Sequence, residues 1–95
     1  MATMFALPKR LMSDNAMNCI DQAVAALVQS QDTEFVVDAQ SLAQFDSAAL
    51  AVLLDLRRRA ASLGKKIVLH SVQPRLAELA NLYGVGRVLG MPLPA

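Results

Sequence analysis

The feature that most constrains this chain is a pair of short apolar runs, Phe35-Val36-Val37 and Ile67-Val68-Leu69, each bounded by polar residues and separated by a longer stretch with helical patterning. Short β-branched runs of this kind read as buried strands. A helical crossover between two such strands favours parallel pairing in one sheet. The first strand is expected over Glu34–Asp38 and the second over Ile67–Leu69, with Lys65 and Lys66 leading into it.

The rest of the chain fills in around these two strands. Met4–Met12 reads as extended but is interrupted by Pro8, which cannot donate to a sheet ladder, so an edge strand or two short pieces are expected. Ser13 or Asp14 is suited to cap a helix from about Asn15 to Gln29–Gln31, with Ile20, Ala23, Val24 and Leu27 at helical spacing and Cys19 beside them. Ala39–Phe45 reads as a loop. A second helix is expected from Asp46 or Ser47 to about Leu63, stopped by Gly64, because glycine adopts the left-handed backbone at little cost. Pro74 suits the first turn of a third helix, buried through Leu76, Leu79 and Ala80 and ended by Gly84. Val85–Leu89 is expected as a last short strand, and Met91–Ala95, with two prolines, as a loose tail. The resulting order, β-α-β-α-β-α-β, places the chain in the α/β class with one small, mostly parallel sheet. The direction of the N-terminal strand, within Met4–Met12, is left open. With 95 residues, one domain is expected, its ordered core running from about 4 to 89.

Charge and composition exclude several functions. The net charge is +1, which gives no overall field for nucleic acid. The charges are nonetheless segregated: two basic and seven acidic residues lie before Arg57, then seven basic and one acidic, Glu78, from Arg57 onward. That asymmetry reads as a solvated helix end or as a basic patch for an acidic partner surface. Arg57-Arg58-Arg59 has no interleaved aromatics of the kind that stack on bases. Cys19 is the only cysteine and His70 the only histidine, so neither an internal disulfide nor a His-Cys metal site is expected. His70 follows a strand and reads as a polar edge residue, with nothing in sequence to pair it with a serine as a catalytic base. Gly84-Val85-Gly86 lacks the Gly-Lys-Ser/Thr of a phosphate loop. Catalytic residues, metal and cofactor are therefore all expected to be absent. The longest purely apolar run, Ala48–Leu54, is far short of the roughly 20 residues a membrane span needs. Met1–Pro8 does not read as a secretory signal, and a cytoplasmic location is expected.

The segment richest in functional information is Phe45-Asp46-Ser47-Ala48-Ala49-Leu50, placed after Asp38 at the strand end. A helix start leaves backbone N–H groups without internal partners and favours negative charge. Asp46 and Ser47 both suit that position, so a plain helix cap is one reading. Regulation is the other, because a phosphate on Ser47 would add about −1.5 to −2 charges there. Ala48 to Leu54 is apolar all round, so the helix start is expected either to be buried on every side or to offer a docking surface. Tyr83, near a helix end, reads as a half-buried anchor whose hydroxyl is able to meet a partner.

Asp38, the run Asp46-Ser47-Ala48-Ala49-Leu50, and Gly64-Lys65-Lys66 before a strand together resemble the STAS domain family, which includes bacterial anti-sigma-factor antagonists and the cytoplasmic tails of sulfate transporters. The resemblance covers roughly Met4 to Leu89. It implies an anti-sigma-factor-antagonist fold with no catalysis of its own. It also implies a hydroxyl residue after the Asp, here Ser47, that antagonists present to a kinase. Leu79-Ala80-Asn81-Leu82-Tyr83-Gly84-Val85 and the short length look more like the MlaB group. Such members pair with the ATPase of a phospholipid-transporting ABC complex at the inner membrane of Gram-negative bacteria, which maintains outer-membrane lipid asymmetry. The resemblance then makes Ser47 the partner-contacting residue, supported by Asp46, Asp38, Ala48, Ala49, Leu50 and Tyr83. The partner would be an ABC-transporter ATPase or, in the antagonist reading, an anti-sigma factor and a Ser/Thr kinase. Ala49 stands where many antagonists carry Gly, a substitution that leaves a constitutive docking role untouched.

Overall fold

A computed structural model describes residues 3–91. Three strands form the main sheet, β1 (Thr3–Ala6), β3 (Glu34–Asp38) and β5 (Lys66–His70), in the order β1-β3-β5 and parallel throughout. The first strand thus enters parallel. Two residues on each side, β2 (Arg10–Leu11) and β4 (Gln44–Phe45), form a second small parallel ladder. Among the described residues three helices complete the fold: α1 (Ala16–Gln29), α2 (Ser47–Ser62) and α3 (Pro74–Leu82).

Side chains alternate across a strand, and here the alternation decides where the core lies. Phe35 and Val37 of β3 are buried in the main cluster, with Phe5, Ile67 and Leu69 packed against it, whereas Met4, Val36 and Val68 belong to the other face. α1 contributes Cys19, Ala23 and Leu27 and α2 contributes Leu50, Val52, Leu53, Leu56 and Ala60 to the same cluster, so the two helices share one face of the sheet. Strand Glu34–Asp38 is central and its apolar run is buried as expected. Ile67–Leu69, expected to be buried, is only half-buried, because β5 is an edge strand with a neighbour on one side alone.

Several local expectations are corrected. α1 is preceded by Asn15, not capped by Ser13 or Asp14, and Asn15 uses its side chain on the chain before it: Oδ1 accepts from Met12 N at 2.8 Å and Nδ2 donates to Arg10 O at 2.8 Å. The loop expected over Ala39–Phe45 ends in β4, tied down where Ala43 N and Gln44 N donate to Lys9 O at 2.7 and 3.0 Å. Val85–Leu89 is not a strand. Gly84 and Gly90 both have positive φ, 75° and 70°, and between them Leu89 N donates to Val85 O at 3.1 Å, which coils the segment instead of extending it. The tail expected to be loose is held as far as Met91, whose side chain is 5 % exposed; residues 92–95 lie outside the described ones. Gly64 ends α2 at φ 72° as expected.

Candidate functional site at the start of α2

The chain reaches the site by a constrained route. β3 ends at Asp38, whose Oδ1 accepts from Gln40 N at 3.0 Å and turns the chain. Buried Leu42 then anchors the loop, and pairing with β2 fixes Gln44 and Phe45 directly before the helix. Asp46 caps α2: its backbone is extended, φ −127°, and its Oδ1 accepts from Ala48 N at 2.8 Å. Capping of this type contributes about 1 kcal/mol.

This geometry separates two roles that sequence left merged. Asp46 is the cap, and Ser47 is the first helical residue, exposed, with no hydrogen bond from its hydroxyl among the described residues. The Ser47 oxygen is therefore free to meet solvent, a modifying enzyme or a partner, at the end of a helix where the backbone favours negative charge.

Opposite Ser47 stands α3. Its first residues are held by Gln73, whose Nε2 donates to Leu42 O at 2.6 Å and to Gln40 O at 3.3 Å. Two residues on, the Arg75 guanidinium lies over the Phe45 ring, 5.3 Å from its centre. Between the two helices runs an open groove of about 550 Å³, lined by Asp46 and Ser47 on one wall and by Arg75, Glu78, Leu79, Leu82 and Tyr83 on the other. Leu82 is 80 % and Tyr83 58 % exposed, and Phe45 forms part of the floor.

The residues singled out in sequence fall into three groups. Ser47, Asp46 and Tyr83 line the groove together. Ala49 and Leu50 are buried in the core and Ala48 half-buried, so they hold the helix start from beneath. Asp38 does not line the groove; its carboxylate serves the turn before it. The apolar stretch Ala48–Leu54 is correspondingly not a docking surface in the main. Residues 49, 50, 52 and 53 are all buried, because α2 lies against both α1 and the sheet. Tyr83 is more exposed than the half-buried anchor expected of it. The apolar residue that sequence reading missed is Leu82, and a signal for it existed: it lies off the helical stripe that carries Leu76 and Ala80 inward. His70 ends β5, exposed, and is not among the groove's lining residues.

A model of the family described as "Mlab, STAS domain" matches residues 9–92, and the chain belongs to that family. Among solved structures it is similar to an anti-sigma-factor antagonist (STAS) domain protein from Planctomyces limnophilus, with TM-score 0.77 and 20 % identity over 92 % of this chain and 78 % of that one. It is also similar to a sulfate transporter family protein from Wolinella succinogenes, with TM-score 0.74 and 15 % identity over 94 % of this chain and 71 % of that one. A search of curated proteins found no match to the sequence. At these identities the two structures establish the fold and nothing narrower.

Among the described residues no group of three or more His, Cys, Asp or Glu side chains is placed to hold a metal ion, and no helix is long and apolar enough to cross a membrane.

Proposed function

We propose that this chain is a non-catalytic regulatory subunit that docks on the ATPase of a phospholipid-transporting ABC complex, through the groove between the start of α2 and α3. The observation that carries the reading is the pairing of an unbonded, exposed Ser47 hydroxyl with the exposed apolar side chains Leu82 and Tyr83 across one groove. Exposed Leu and Tyr at a shared rim give a partner apolar area to bury, with a polar hydroxyl and the Arg75 guanidinium to fix its orientation. Membership of the MlaB-like STAS family supports the ATPase as that partner. In this reading the chain is cytoplasmic and reaches the inner membrane only through the ATPase.

The test is affinity capture of the tagged full chain from its own host, with the partners and the state of Ser47 read by mass spectrometry. Recovery of an ABC ATPase with its permease supports the proposal, and recovery must fall with Leu82→Asp. Recovery of an anti-sigma factor or a Ser/Thr kinase instead would replace it.

That outcome corresponds to a second reading, an anti-sigma-factor antagonist switched by phosphorylation of Ser47. The free hydroxyl favours it, and so does the likeness to a protein described as an antagonist domain. Asp46 remains beside Ser47, so a phosphate there would concentrate negative charge on one wall of the groove and change what a partner meets without refolding the domain.

A further inference from the structure

The seven basic residues after position 56 do not form one solvated face. The three consecutive arginines sort by partner. Arg58 and Arg59 both turn back to Asp55, with N–O distances of 2.6 and 2.9 Å. Arg57 points elsewhere, into a cleft of about 330 Å³ between the last turns of α2, the start of β5 and the coiled segment after α3. Lys65, Lys66 and Arg87 line the same cleft, and among the described residues no carboxylate does. Lys65 has its ammonium committed, donating to the Ser30 carbonyl, so its stem forms a wall. Arg57, Lys66 and Arg87 have no ion pair among the described residues; even Glu34, in register with Lys66 on the next strand, forms none with it.

The cleft is also built rather than accidental. Leu89 and Met91 are buried, and Met91 N donates to Gly86 O at 2.9 Å, so the segment that carries Arg87 is pinned on both sides of the turn. Gly86 itself lies against the backbone of α3, 3.7 Å from Asn81 N at the position a Cβ would take. Three basic residues thus line one concavity on a fixed backbone, and an oxyanion there would be met by positive charge from α2, β5 and the segment after α3. Two guanidiniums offer the forked donors that phosphate oxygens take best, and Lys66, at the exposed start of β5, adds a long, flexible cationic side chain at the rim.

We infer that this cleft binds a phosphate-bearing group, held by Arg57, Lys66 and Arg87. The site lies at the opposite end of α2 from Ser47, on the order of 15–20 Å along the helix at ~1.5 Å per residue, and does not depend on the docking proposal. A concave cleft of this size fits a single headgroup or diphosphate. The same chemistry is presented by a soluble phosphate compound or by an anionic phospholipid, and the experiment separates the two.

The full chain, isotope-labelled, is titrated with inorganic pyrophosphate in one arm. In the other it is mixed with phosphatidylglycerol vesicles, with phosphatidylcholine vesicles as the neutral control. An acidic glutamate peptide at matched ionic strength serves as the carboxylate comparison. The expected result is saturable amide shifts at Ala61, Ile67 and Val88–Gly90 with pyrophosphate, vesicle binding that needs phosphatidylglycerol, or both; which arm responds names the source. Arg57→Gln and Arg87→Gln should each weaken the response about tenfold or more, as loss of a charge-assisted hydrogen bond does, while Ser47→Asp leaves it unchanged. Lys66→Gln, at an exposed strand start, gives an independent variant if an arginine replacement disturbs folding. Absence of a saturable response in both arms would overturn the inference. So would a response that survives these replacements, or one that the glutamate peptide matches or exceeds.

Discussion

The Arg75 guanidinium stacks on the Phe45 ring, 5.3 Å from its centre, and this contact ties α3 to the residue directly before the Asp46 cap. It sets the spacing of the groove walls, since Phe45 is the end of β4 and Arg75 lies in the first turn of α3. A double-mutant cycle of Arg75→Ala and Phe45→Leu should give a coupling of about 0.5–1 kcal/mol, the range for a partly exposed cation–π pair. Additive losses in denaturant melts would show that the stacking does not hold the walls.

Leu50 and Leu82 should behave in opposite ways. Leu50 is 3 % exposed, so Leu50→Asp places a carboxylate in the core and should prevent stable folding. Leu82→Asp changes a residue already in solvent and should leave thermal stability nearly unchanged while reducing partner capture. Comparing melting curves with capture yields for the two variants checks this. A folded Leu50→Asp protein would contradict the burial of the α2 start.

Asp46→Ala removes the acceptor for Ala48 N and should destabilise the domain by about 1 kcal/mol. Ser47→Ala removes no hydrogen bond seen among the described residues and should be close to neutral in the same chemical melt. A larger loss for Ser47→Ala than for Asp46→Ala would mean the hydroxyl is the true cap.

Asp55 gives a pH test. Burial alone would push its carboxyl up, but hydrogen bonds from Arg58 and Arg59 outweigh this and hold it below the ordinary value of 3.8. A carboxyl lowered on folding binds fewer protons in the native state than in the unfolded one. Its contribution is therefore complete above the unfolded value and is lost as pH falls through the lower folded value. Both arginines are well exposed, so the difference between wild type and Asp55→Asn should be no more than about 1 kcal/mol at neutral pH. It should shrink below pH 3.8 and in high salt, both read from urea midpoints. A difference that grows on acidification would contradict the sign.

Cys19 reports on the α1 packing. It is 4 % exposed, and burial pushes its thiol up, so the reactive thiolate is scarce and enclosed. A colourless disulfide reagent that releases a chromophore should react slowly with the native protein and at once in urea. Immediate reaction without denaturant would mean that α1 does not cover the sheet.

The parts of the fold that sequence revealed were those where local chemistry and burial agree. Phe35-Val36-Val37 is β-branched and lies in the central strand, and Gly64 supplies a positive φ where α2 must stop, so both were legible. Asp46 and Ser47 marked the start of α2 for the same reason. β4 was not legible, because Gln44-Phe45 becomes a strand only by pairing with Arg10–Leu11, far away in the chain. Val85–Leu89 carries strand-like residues, yet flanking glycines and the buried anchors Leu89 and Met91 coil it. The site was half legible. Ser47 could be named from its position after Asp46, but the opposing wall depends on how α3 docks. That docking rests on Gln73 reaching Leu42 O and on Arg75 reaching Phe45, contacts that no periodicity reports. For the same reason Leu50, which sequence left open between core and docking surface, proved to be core, whereas Leu82, given no site role from sequence, proved to be exposed at the groove.

The most direct test is amide hydrogen exchange on the complex with the co-purified ATPase, compared with the free chain. Slowed exchange should be confined to the Phe45–Ala48 stretch and to Arg75–Tyr83, leaving the amides around Arg57 and Arg87 at their free rates. Unchanged exchange across both groove walls in a complex that is demonstrably intact would contradict docking at this groove.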